Sequence, residues 1–245
     1  MTVRAPTRAP RRPAARVRYL FFALGVGLSA PAAAEVGAQV SVFSDARFRG
    51  YSQSAGHPVA TLDLSYDDPR GFYVTAAGSV VASDADGIKP FEAQIGGGYA
   101  RRITDVTVDL GAIHSEYSRY GRWVVPRSYT ELYAGATYRF LSARVAFSPH
   151  YFEPGTRTLY GEANANFSPA HKLNVAAHAG VLVPIDYREP SSGRPVQYDW
   201  RLGISRDIGH ASLHLIGSGG GPTPDIYGGR KHSRTALVAG VSLPL

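Results

Sequence analysis

The chain has 245 residues, with 26 Lys and Arg against 19 Asp and Glu, a formal net charge of +7 at pH 7, and no cysteine. The missing cysteine excludes a disulfide frame, a thiolate metal site and a cysteine nucleophile. The basic excess invites a nucleic-acid reading, but it is concentrated at one end of the chain.

Arg4, Arg8, Arg11, Arg12, Arg16 and Arg18 form an N-terminal leader without acids, followed by the apolar run from Tyr19 to Ser29 and by Ala32-Ala33-Ala34. That order predicts a secretory signal peptide cleaved before Glu35. The apolar run is about half of the ~20 residues that a membrane-spanning helix needs. Without the six leader arginines, 20 basic residues face 19 acidic ones, a net charge of +1, so nucleic acid is not an expected partner. The expected organisation is a signal peptide over 1–34 and one β-domain over 35–245.

From residue 35 onward the pattern is alternation with period two. Val106, Val108, Leu110 and Ala112 interleave with Thr107, Asp109 and Gly111, and Leu173, Val175, Ala177, Ala179, Val181 and Val183 do the same with Asn174, Ala176, His178 and Gly180. Such stretches are strands with one apolar and one polar face. Twelve are predicted, near 36–49, 58–66, 71–82, 91–102, 105–116, 128–140, 142–152, 157–167, 172–184, 196–207, 210–218 and 234–245. Most have the length that crosses a bilayer when tilted, about 9–11 residues.

Short turns follow the even strands, at 67–70, 103–104, 141, 168–171 and 208–209. After the odd strands come longer loops at 50–57, 83–90, 117–127, 185–195 and 219–233, the connection around Pro154-Gly155 being the short exception. Outer-membrane barrels are built this way, with turns toward the periplasm and loops outside. Tyr66, Phe72, Tyr99, Tyr138, Phe140 and Phe167 fall beside the short turns on the apolar face, as expected for an interfacial girdle. Phe91, Tyr151, Tyr198 and Trp200 are expected on the same face at the opposite rim, and Tyr51, Tyr117, Tyr120, Trp123 and Tyr187 in or near the long loops. The last strand ends with Leu237, Ala239, Val241, Leu243 and Leu245 alternating on one face.

The first strand runs into Ser44-Asp45-Ala46-Arg47-Phe48-Arg49-Gly50-Tyr51-Ser52-Gln53-Ser54. This stretch resembles the opening S-D-Y-R-F-R-G-x-S-Q-S motif of the Gcw_chp family of proteobacterial outer-membrane proteins, with Ala46 in place of the tyrosine. The resemblance implies an outer-membrane location and brings no activity, substrate or catalytic residue. Period two puts Asp45, Arg47 and Arg49 on one face of a long first strand, expected to stand at the outer mouth. There Arg–carboxylate pairing could brace the first loop or narrow the pore, or the strand end could simply be solvated with weak ion pairs.

Positions assigned to the lumen include Asp63, Glu92, Asp109, Glu131, Arg144, Glu162, Asp199 and Arg201, together with Gln39, Gln94, Asn164, Asn166, His178 and His214. Both charge signs occur, which implies a polar interior without strong ion selectivity. An acyl hydrolase would need Ser and His on the lipid-facing side. His210-Ala211-Ser212 sits at the periplasmic end, and His114 has Ser115 and Glu116 as immediate neighbours rather than same-face partners. Gly96-Gly97-Gly98 reads as close packing within a strand, and Gly217–Pro224 as an outer loop. No catalytic residue, cofactor or metal site is predicted.

The sequence therefore predicts an all-β, antiparallel up-and-down transmembrane barrel of about twelve strands in the bacterial outer membrane. Its partners are membrane lipid, the barrel-assembly machinery during biogenesis and a possible small solute. A narrow passive pore and a closed-lumen barrel with a structural or surface-interaction role both remain open.

Overall fold

The computed structural model describes residues 34–83, 87–118, 127–152, 155–185, 196–221 and 235–245. The predicted leader through Ala33 lies outside the described residues, as do Tyr120, Trp123 and Tyr187. Twelve strands form the wall: β1 (Glu35–Phe43), β4 (Val59–Asp67), β5 (Phe72–Ser83), β6 (Gly87–Ile103), β7 (Val106–Tyr117), β8 (Arg127–Tyr138), β9 (Leu141–Ser148), β10 (Thr158–Ala170), β11 (Leu173–Pro184), β12 (Gln197–Ile208), β13 (Ala211–Gly221) and β14 (Thr235–Pro244). Each pairs antiparallel with its sequence neighbour, and β1 pairs with both β4 and β14, which closes the barrel. Closure leaves no wall strand with an unpaired edge, the condition for placing backbone in hydrocarbon. The remaining two strands, β2 (Arg47–Phe48) and β3 (Tyr51–Ser52), form a separate hairpin.

Alternation along the wall is read directly from exposure. In β8, Tyr129, Glu131 and Tyr133 are buried while Thr130, Leu132 and Ala134 are exposed. The outward side chains are apolar: Leu110 is 62% exposed, Leu132 55%, Leu202 58% and Val74 50%. A water-soluble protein does not present a continuous apolar surface of this extent. Tyr66, Phe72, Tyr99, Tyr138, Phe140 and Phe167 are all exposed outward near the tight turns, and the Phe72 and Tyr99 rings, cross-strand partners, lie 5.1 Å apart.

The turns at this end are tight, at Thr104–Asp105, Arg139–Phe140, His171–Lys172 and Gly209–His210, with Asp68–Gly71 joining β4 to β5. In that last turn the Asp68 carboxylate accepts from the Arg70 backbone N–H at 2.8 Å and from its Nε at 2.9 Å. These bonds hold the Asp68 carboxyl below its ordinary range.

Four sequence expectations are corrected. The first strand stops at Phe43 instead of continuing to 49. Strand β6 begins at Gly87, so the β5–β6 connection is much shorter than the loop expected over 83–90. A bulge there sets Ser79 opposite Glu92 and Val80 opposite Pro90, and the extra residue, Phe91, turns inward to 4% exposure instead of facing lipid. Residues Gly217–Gly221 belong to β13 rather than to an outer loop.

Candidate functional site

After Phe43 the chain leaves the wall. Arg47 pairs with Ser52 and Phe48 with Tyr51, leaving Arg49-Gly50 as a two-residue turn with φ of 47° and 82°. Positive φ at both central residues is the type I′ geometry that suits the twist of a hairpin. Glycine adopts it without strain, whereas arginine does so at a cost of about 1–2 kcal/mol, so other contacts must hold Arg49 there.

The hairpin is organised around Asp45. Its Oδ1 accepts from Ser52 Oγ at 2.5 Å, from Ser54 Oγ at 2.9 Å and from the Gly56 N–H at 3.2 Å, and its Oδ2 pairs with Arg47 Nη1 at 3.2 Å. Arg47 also donates to Ser218 Oγ on β13 at 3.3 Å and to the Gly50 carbonyl at 2.5 Å. A Cβ on Gly50 would meet the Gly219 carbonyl oxygen and the Gly220 Cα, both at 2.7 Å. The hairpin tip thus lies backbone against backbone on β13, which explains the glycine run in a wall strand.

Arg49 reaches in another direction, to β8 and β10. Its Nη2 bonds both oxygens of Glu131, at 2.7 and 2.9 Å, and its guanidinium carbon lies 3.7 Å from the Tyr160 ring centre, 4.7 Å from Phe48 and 5.1 Å from Tyr151. Both members of the ion pair are buried, with side chains 7% and 8% exposed. The hairpin therefore spans the lumen from β13 to β8.

Aromatic rings fill the outer end around it. Phe152 lies 4.8 Å from Tyr129, 4.8 Å from Tyr151, 5.6 Å from Tyr117 and 6.3 Å from Phe48, and Phe91 lies 6.0 Å from Tyr117. Tyr51, Tyr117 and Tyr151, expected in loops or on the lipid side, are all buried here. Strand β9 ends at Ser148, and Tyr151 re-enters as an isolated bridge partner of Tyr129.

Mid-barrel, His178 bonds Asn164 Oδ1 through Nδ1 at 2.7 Å and Asp199 Oδ1 through Nε2 at 2.8 Å, and the Tyr160 hydroxyl donates to Asp199 Oδ2 at 3.0 Å. Arg201 lies in the field of Glu162 and Asp199. Across the lumen the Tyr73 and Tyr133 hydroxyls share a 2.5 Å hydrogen bond, and Arg144 sits 4.2 Å above the Tyr133 ring and 3.4 Å from Asp109. Gly98, Gly111 and Gly180 are the seats on which the Tyr73, Tyr133 and Tyr160 hydroxyl ends lie.

Toward the tight turns many inward residues of the other strands are small and polar, whereas Ser212, His214 and Ser242 on β13 and β14 are buried. Ser65, Thr75, Thr107, Thr137, Ser142, Asn166, Asn174 and Ser205 are small and polar, and all are partly exposed rather than buried. Asp63, also partly exposed, lies opposite Gln39 and Ala77, while Glu92 is hydrogen-bonded to Tyr117 in the outer half. The structure therefore brings Glu131 to the hairpin tip, links Asp199 to it through Tyr160, puts Asp109 and Arg144 together, and sets Asp63 on β4 opposite Gln39 and Ala77.

On the outer surface, Glu116 is a same-face partner of His114 after all, since residues two apart share a strand face. Their Nε2 and Oε1 atoms are 3.4 Å apart. His114 Nδ1 lies 2.8 Å from the hydroxyl of Thr130, its cross-strand partner. Ser212 points inward, bonding Asp207 at 2.5 Å. Among the described residues no group of three or more His, Asp or Glu could hold a metal ion.

A family model described as a bacterial protein of unknown function, Gcw_chp, matches residues 28–219. The chain belongs to the Gcw_chp family. No curated protein matches it in sequence. Among solved structures, this Gcw_chp barrel is similar to the NanC porin, with a TM-score of 0.57 and 10% identity over 85% of this chain and 100% of that one. The KdgM porin aligns with a TM-score of 0.52 and 9% identity over 84% and 98% of the two chains. The KdgM porin in complex with disordered oligogalacturonate gives 0.51 and 11% identity over 85% and 98%. At these identities the likeness is one of fold, a closed antiparallel barrel shared with outer-membrane porins.

Proposed function

We propose that the exported chain, freed of its leader at about residue 34, resides in the bacterial outer membrane as a barrel that its own motif hairpin closes in the outer half, so that the resting protein passes little solute. The apolar exterior and the aromatic girdle support the location. The observation that carries the closure is the hairpin stretched between the Gly219-Gly220 backbone and Glu131, with the rings of Phe91, Tyr117, Tyr129, Tyr151 and Phe152 clustered beside it. Below it, Thr107, Thr137, Ser142, Asn166 and Ser205 face inward and are partly exposed.

The KdgM porin forms a complex with oligogalacturonate, a polyanion. In this chain Arg47, Arg49 and Arg144 each face a carboxylate, Asp45, Glu131 and Asp109 respectively. An anionic oligosaccharide would have to displace those partners, so an acidic sugar is not extended to this lumen. We also read the chain as non-enzymatic: the His114 and Glu116 side chains are 42% and 69% exposed, and the hydroxyl beside His114 is that of a threonine.

Planar-bilayer recording of the refolded mature chain tests the proposal. Heat-modifiable barrels that give rare or very small current steps support it. A steady open current comparable to that of a general porin overturns it.

A further inference from the structure

The environment of the Arg49 guanidinium has the make-up of a receptor site for a cation. Glu131 supplies both carboxylate oxygens, and Tyr160, Tyr151 and Phe48 present rings at 3.7, 5.1 and 4.7 Å. A carboxylate combined with desolvated ring faces is the chemistry that selects guanidinium and ammonium groups from water. Three of its four members, Glu131, Tyr151 and Tyr160, come from the barrel wall and its outer end, not from the hairpin. The occupant arrives on a turn whose φ of 47° disfavours arginine, so the side chain is held by the cage and not by the local backbone.

We propose that Glu131, Tyr151 and Tyr160 form a cation site for guanidinium- or ammonium-bearing solutes, and that Arg49 occupies it as a tethered ligand. A free solute of this class competes with Arg49 for the site, and its binding is linked to release of the hairpin tip. The inference rests on the hairpin's position but not on whether the barrel conducts, and it is tested without a current.

The test uses the full mature chain folded in detergent and calorimetric titration with methylguanidinium chloride against a sodium chloride control. Arg49→Asn empties the cage while giving the turn the Asn-Gly sequence that type I′ prefers. Arg49→Gly is the second variant, since glycine adopts the same φ freely. Both are expected to bind methylguanidinium where the native chain shows no resolvable heat. Adding Glu131→Gln is expected to weaken that binding about tenfold or more, because the charged acceptor is lost. Absence of binding in both variants overturns the proposal, as does binding that Glu131→Gln leaves unchanged. Loss of the heat-modifiable barrel in both variants also overturns it, by making Arg49 part of the fold instead of a separable occupant. Variants that bind while the native barrel conducts freely would overturn the closure and leave the cation site standing.

Discussion

The two ends of the lumen are built from the same twelve strands yet are lined by different side chains. Toward the long loops, Tyr51, Tyr129, Tyr151, Tyr160 and Glu131 are all buried, and charges are paired or ring-capped. Toward the tight turns, Thr107, Thr137, Ser142, Asn166 and Ser205 remain partly open to solvent. A twelve-stranded wall is too wide for its own side chains to fill in the way an eight-stranded barrel is filled. Closure in the outer half therefore requires extra chain, which the segment after Phe43 supplies.

Substitutions in the outer half should accordingly act strongly and those in the other half weakly. The largest effect is expected from Asp45→Ala, which removes the buried carboxylate shared by Arg47, Ser52, Ser54 and the Gly56 N–H. Breaking such a buried charged centre costs about 3–5 kcal/mol. Released hairpin should appear as increased single-channel current and as protease cleavage between residues 44 and 56. Gly50→Ala comes next, at about 1–3 kcal/mol, since its Cβ would press on the β13 backbone where no side chain can yield. It should raise current less than Asp45→Ala does.

Tyr73→Phe removes the partner of the Tyr133 hydroxyl at mid-barrel and should lower stability by about 1 kcal/mol, read from the urea midpoint, without opening the lumen. Asn166→Ala, in the wet half, should change stability by less than about 0.5 kcal/mol and leave current unaltered. A comparable response to Asn166→Ala and Asp45→Ala would erase the distinction between the halves.

The wall was legible in the sequence because each strand meets two different environments, so Leu132 and Glu131 declare their faces by type alone. The hairpin was not legible, for a physical reason. A two-residue turn preserves period two, so Asp45, Arg47 and Arg49 look the same on a continued strand as on a chain folded back into the lumen. The available clue lay elsewhere, in Gly219 and Gly220 on a wall strand, where missing side chains admit the Gly50 backbone. Phe91 was misplaced because a single inserted residue reverses every face beyond it, and the one mark of that bulge is Pro90, read instead as the end of a loop. Tyr151 was misplaced because β9 stops at Ser148 while the apolar alternation carries on.

Sidedness of access to the lumen tests the closed outer half most directly. The chain has no cysteine, so Asn166→Cys and Thr137→Cys each introduce a single reporter in the wet half. In vesicles holding the barrel in one orientation, a membrane-impermeant maleimide should label both from the tight-turn side and neither from the long-loop side. Labelling at similar rates from both sides would contradict a lumen closed by the Arg47–Ser52 hairpin.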